Sequence, residues 1–120
     1  MFNALRCAKY YAETGAPVHT CPYKFGAGEN IRTRWTTGYA SDDVSMAVEA
    51  TNWWYDEVLF YNARNPLNPS TRHFTQLVWK STTRLGVGVY TVRRGYETDS
   101  VIVALYSPPG NMIGAFAQNV

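Results

Sequence analysis

Four side chains in this sequence are of the types that do chemistry and lack an obvious local partner: His19, Glu29, Glu57 and His73. His73 opens the apolar, ring-rich run HFTQLVWKSTTRLGVGV, and Glu57 falls among Ala50, Trp53, Trp54, Phe60 and Tyr61 on an otherwise apolar side of a helical pattern. A carboxylate there must reach water or a donor, because burying it unpaired costs several kcal/mol. Glu29 follows the small residues of GAGENI, which let a backbone approach closely, and by itself reads equally well as a loop acid. Singly, each histidine is more simply a satisfied structural residue. Together the four have the composition of one polar cluster. Two imidazoles can bind a divalent cation such as zinc, each held in its tautomer by a carboxylate on the other ring nitrogen. Two protein ligands leave coordination positions open, a weaker set than the three of a catalytic zinc site.

The same residues admit two other chemistries. In a hydrolase, His73 or His19 would act as base and Glu29 or Glu57 as its orienter, with a metal-bound or free water attacking. Ser81 and Ser107 lie outside any nucleophile-elbow motif, and Cys21, two residues from His19, is the alternative thiol nucleophile. In a purely structural role the cluster would be a hydrogen-bonded network without ligand. Sequence spacing does not bring the four residues together.

The elements that must position them are legible in outline. Residues 3 to 13 carry Leu5, Ala8, Tyr11 and Ala12 at helical spacing, and Gly15 with Pro17 stops that helix. A Gly- and Pro-rich loop runs to residue 28, and ENIRTRWTT alternates as a short strand. SDDVSMAVEATNWWYDEVLFYN is predicted as a long helix with Ser41 as its cap, Asp42 and Asp43 at the favourable end of the dipole, and Val44, Ala47, Val48, Thr51, Trp54 and Val58 as its apolar face. Periodicity leaves His73 to Trp79 undecided between helix and strand. Leu85 to Arg93 alternates as a strand with Gly86 and Gly88 on one face. Ser100 to Tyr106 is apolar on both faces and therefore central, and SPPGN is the turn that ends it. Trp53, Trp54, Tyr55 and Trp79 read as packing residues. Helices mixed with antiparallel strands predict an α+β layered domain.

Bulk properties narrow the function. At 120 residues, one domain can bury about two thirds of its unfolded surface. With 46% apolar and 17% charged residues the chain is an ordered globular protein rather than a disordered tail. A net charge of +2 with scattered lysines and arginines excludes a nucleic-acid footprint, while a weakly anionic lipid surface remains compatible. The longest apolar run, VIVALY, is too short to span a bilayer. Cys7 and Cys21 are too few for a disulfide framework. One bridge between them would tether the helix to the His19 loop, and the reading holds with or without it.

Four segments, GENI, WWYDEVLFYN, HFTQLVWKSTTRLGVGV and ALYSPPGN, occur in the order seen in the CAP superfamily of cysteine-rich secretory, antigen 5 and pathogenesis-related 1 proteins, also called the SCP domain, which this sequence resembles from about residue 4 to its end. The last stretch, GNMIGAFAQNV, is similar to the Golgi-associated plant-pathogenesis-related branch. The resemblance implies an α-β-α sandwich with a short, mostly antiparallel sheet, in one domain over residues 1 to 120. It implies a cleft tetrad of His19, Glu29, Glu57 and His73, with His19 and His73 as ligands of a zinc or other divalent ion that is not required for folding. It further implies a non-enzymatic binding protein for lipid, sterol or a membrane surface. Location is expected to be extracellular by family default, with a Golgi-associated or cytoplasmic membrane face as the alternative. Three departures qualify the match. The family's first helix has no counterpart upstream of Met1, so the domain is expected to be N-terminally shortened, with apolar surface left for a second copy or a partner chain to cover. Arg72 stands where a glycine usually precedes the tetrad histidine, an exchange at the cleft rim. Ala104 replaces a cysteine that many secreted members carry.

Overall fold

The computed structural model describes residues 2–15, 19–38 and 41–120. Three antiparallel strands, β1 (Gly28–Thr37), β2 (Arg84–Arg94) and β3 (Glu97–Ser107), form one sheet in the order β1-β3-β2. The central place of β3 follows from its sequence: Val101, Val103 and Leu105 supply one core and Ile102, Ala104 and Tyr106 the other. Strands β2 and β3 join through the two residues Gly95 and Tyr96, with Gly95 at φ +65°, a conformation that favours glycine in a tight hairpin.

Helix α1 (Phe2–Thr14) covers one face of the sheet. Its buried stripe is Ala4, Cys7, Ala8 and Tyr11, and Leu5, expected inside, is exposed. The reason is Gly88, where even a Cβ would run into the backbone of Ala4 and Leu5. So close an approach requires alanines at the contact and turns the leucine outward. Gly15 ends the helix with its N–H donating to the Tyr11 carbonyl; Pro17, the other expected stop, lies outside the described residues. A disulfide joins Cys7 to Cys21 with 5.4 Å between their Cα atoms. It fastens the loop after α1 back onto the helix.

Helix α2 (Asp43–Tyr55) covers the opposite face, completing three layers. Its cap is Asp42 rather than Ser41: the Asp42 carboxylate accepts from the Ser45 N–H at 2.7 Å, while Ser41 accepts from Arg34. The Ser45 N–H, and then the Ser45 hydroxyl, hold the Asp42 carboxyl below its ordinary pKa. The buried line is Met46, Ala50 and Trp54, spaced by four. Val44 and Val48, expected in the core, are 75% and 55% exposed. They line, with Leu5, Ala47, Val87 and Val89, an open apolar groove of about 800 Å³. Trp54 and Trp79 are packing residues as expected, but Trp53 is exposed, with the Arg32 guanidinium 4.2 Å from its ring centre.

The predicted long helix does not run to Asn62. It tightens at Asp56 into a 3-10 turn, Asp56–Phe60. After a loop and a 3-10 turn, Pro69–Thr71, the undecided run proves helical: α3 is Arg72–Leu77, with Phe74, Thr75 and Gln76 buried. A last short helix, α4 (Phe116–Asn119), sets Phe116 edge-on against Trp79.

Candidate functional site

The structure pairs each candidate histidine with one of the two candidate carboxylates, a pairing that the sequence left open: His19 with Glu29 and His73 with Glu57. Glu29 stands on β1, on the face toward α1, and its side chain is only 2% exposed. A buried carboxylate needs donors, and it has three kinds. The Tyr11 hydroxyl lies 2.9 and 2.8 Å from its two oxygens, His19 Nδ1 lies 2.9 Å from Oε1, and Lys24 Nζ lies 3.7 Å away. Tyr11 in turn accepts from the Cys21 N–H at 3.0 Å. Burial, and then the neighbouring carboxylate, push the Tyr11 phenol well above its ordinary pKa against the opposing effect of that N–H. His19 adopts φ +62°, a left-handed conformation uncommon outside glycine. Lys24 donates to its carbonyl at 2.5 Å.

Glu57 finds its donors where the chain passes from 3-10 turn to loop to α3. Its Oε2 accepts from His73 Nδ1 at 2.8 Å and its Oε1 from the Phe74 N–H at 2.9 Å. The His73 ring lies 6.1 Å from the buried Trp54 ring, stacked within 17° of parallel. From behind, the buried Asn30 donates to the His73 carbonyl at 3.1 Å and to the Tyr106 hydroxyl at 3.0 Å.

The two histidines border one cavity of about 530 Å³. His19, Glu29 and His73 are on its walls with Lys24, Arg72, Asn30, Gln76 and Asn111, while Glu57 stands behind His73 and borders a separate hollow with Trp53 and Phe60. The chemistry of the pairs follows from hydrogen-bond inventory. An ionised carboxylate can only accept, so in each pair Nδ1 donates, and in a neutral ring the lone pair is then on Nε2. Those two nitrogens could hold a cation with the carboxylates behind them. Among the described residues, no group of three or more His, Cys, Asp or Glu side chains is placed around one metal position. Two imidazoles would leave coordination positions open to a donor from outside the chain.

Cys21 is disulfide-bonded and carries no thiol, which removes it as a nucleophile. Ser81 spends its hydroxyl on Asn119 at 2.6 Å. Residues that sequence reasoning did not place at the site are Tyr11, Lys24, Asn30, Gln76 and Asn111. Tyr11 carried the one available signal, a hydroxyl at a core-facing position of an amphipathic helix, since a buried tyrosine needs a partner for its tip.

The three-layer arrangement of helices about a small antiparallel sheet agrees with the comparisons. The model of the CAP, or cysteine-rich secretory protein, family matches residues 2–106, and the chain belongs to that family. It is 43% identical over 115 residues to Protein PRY2 of Saccharomyces cerevisiae, covering 94% of this chain and 30% of that protein. It is 40% identical over 126 residues to the human Golgi-associated plant pathogenesis-related protein 1, covering 98% of this chain and 75% of that one. Among solved structures, NaASP2 with Zn2+ superposes with a TM-score of 0.65 at 25% identity, over 92% of this chain and 60% of that one. The chain thus spans less than a third of PRY2 and about three fifths of NaASP2.

Proposed function

We propose that this chain is a non-enzymatic binding module whose cleft coordinates a divalent cation, zinc in the first instance, through Nε2 of His19 and His73. One observation carries the reading: both imidazoles border the same cavity with Nδ1 committed to a carboxylate, which leaves the two remaining nitrogens as the free donors. The similar NaASP2 was solved with Zn2+. Bound there, zinc supplies positive charge and open coordination positions for a donor from outside the chain. The residues of the chain do the rest. Glu29 and Glu57 fix the tautomers, Trp54 and Tyr11 hold the ring and carboxylate orientations, and the disulfide restrains the His19 loop. Calorimetric titration of zinc into wild type and into a His19→Ala/His73→Ala double variant tests this. At least a tenfold loss of affinity is expected. Undiminished binding would leave the tetrad a purely structural network, the role that the fully partnered carboxylates would then have.

The second part of the reading is lipid or sterol binding in the apolar groove beside α2, supported by its size of about 800 Å³ and its aliphatic walls. An extracellular location accords with the Cys7–Cys21 bridge, since disulfides persist in oxidising compartments.

A further inference from the structure

The cleft wall holds a cation that the tetrad does not use. Arg72 opens α3, directly precedes His73, and is one of the residues on the cavity wall. Its carbonyl accepts from Asn111 Nδ2 at 3.0 Å and from the Thr75 hydroxyl at 3.2 Å, so the backbone from which the side chain leaves is pinned. Both neighbouring carboxylates are already engaged. Glu29 is taken by Tyr11, His19 and Lys24, and Glu57 by His73 and the Phe74 N–H. Among the described residues, no carboxylate lies in ion-pair range of the Arg72 guanidinium. The wall therefore carries two cationic residues, Arg72 and Lys24, against the single carboxylate of Glu29, and a divalent ion would enlarge that excess.

We propose that Arg72 makes this cleft a receptor for a carboxylate group. The planar guanidinium matches a carboxylate with two parallel N–H···O bonds, a geometry that lysine or an imidazole cannot supply. The same carboxylate, on its far side, fills a coordination position that two imidazoles leave open on a bound cation. That second contact rests on the cation reading above; the first does not. Arg72 thereby decides which ligands the cleft accepts: acids are retained, and their amides, lacking the charge and the second oxygen, are not. Small organic acids and the C-terminus of a peptide share this chemistry.

Calorimetry with propionate, with N-acetyl-trialanine and with the C-terminal amide of that peptide distinguishes these sources, using zinc-loaded and metal-free protein. Arg72→Gln keeps the helix and removes the fork; Arg72→Lys keeps the charge alone. The expected result is that Arg72→Gln weakens binding of the acids at least tenfold, Arg72→Lys restores only part of it, and zinc affinity stays within twofold in both variants. Tighter binding of the peptide than of propionate assigns the site to chain termini, and the reverse assigns it to small acids. If wild type takes no zinc, the cation reading fails, while Arg72-dependent carboxylate binding by the metal-free protein still upholds this proposal. Equal retention of acid and amide, or acid binding that is unchanged in Arg72→Gln in both forms of the protein, overturns it.

Discussion

Tyr11 does more for the site than any residue outside the two histidine-carboxylate pairs. It is buried on α1, yet its hydroxyl connects three things: it donates to Glu29, accepts from the Cys21 N–H, and so sets the loop that carries His19. Replacing it with phenylalanine keeps the ring packing but strips a donor from a carboxylate that is nearly sealed from water, and orphans the Cys21 N–H. Tyr11→Phe is expected to cost about 1–3 kcal/mol in urea unfolding and to weaken zinc binding through the loosened Glu29. An unchanged unfolding midpoint would mean that water replaces the hydroxyl. Tyr11 shares with Tyr106 a pKa that burial raises above the ordinary phenol value. The fold thus favours the neutral phenols. Their contribution is fully present below about pH 10 and is lost as pH rises beyond it, because the unfolded chain releases those protons first. Stability measured across that range should fall more gently in Tyr11→Phe than in wild type.

At the scale of elements, the interface between α1 and β2 decides how the site is held. Gly88 allows the helix backbone to sit directly on the strand, and Ala4 and Ala8 keep that contact close. Gly88→Ala places a methyl group against main chain, which cannot yield as a flexible side chain does. The expected loss is about 1–3 kcal/mol or more, read as a lowered midpoint in chemical denaturation. Because α1 also carries Tyr11 and Cys7, the variant should disturb the His19–Glu29 pair and leave the His73–Glu57 pair, which belongs to the α2 layer. Histidine ring resonances in NMR would report the difference; equal perturbation of both would show that the layers are not independent. The opposite layer is organised by α2, whose early tightening at Asp56 turns Glu57 toward His73. A regular helix continued to Asn62 would have followed the face assigned from periodicity.

At the scale of the whole molecule, an apolar groove lies between Leu5, α2 and β2. Val44 and Val48 lie on the surface at 75% and 55% exposure, and aliphatic surface of this extent marks a binding region more often than bare solvent contact. Our reading assigns it to lipid or sterol. Val48→Asp puts a charge on its wall at an exposed position, where folding is little affected. A fluorescent sterol analogue should bind this variant at least tenfold more weakly, with zinc affinity unchanged. Equal sterol binding removes the groove from the reading. Light scattering on the same two proteins tests the expected second copy, since association through the groove would raise the mass of wild type and not of Val48→Asp.

What the sequence determined by itself was whatever depends on local pattern. The two-faced apolarity of residues 101 to 106 made β3 central before any neighbour was known, and the misplaced charge of Glu57 announced a missing donor. Resemblance to family segments then implied that His19, Glu29, Glu57 and His73 share one cleft. Only the tertiary structure decided which way Leu5, Val44 and Val48 face, because that depends on the absent side chain at Gly88 and on the Met46, Ala50 and Trp54 line of α2. It also decided that Tyr11 serves Glu29, that Cys7 and Cys21 are joined, and that Glu57 stands behind the cleft rather than on its wall. Each of these is a contact between residues far apart in the chain, fixed by how the helices seat on the sheet. No spacing within a single segment encodes that geometry.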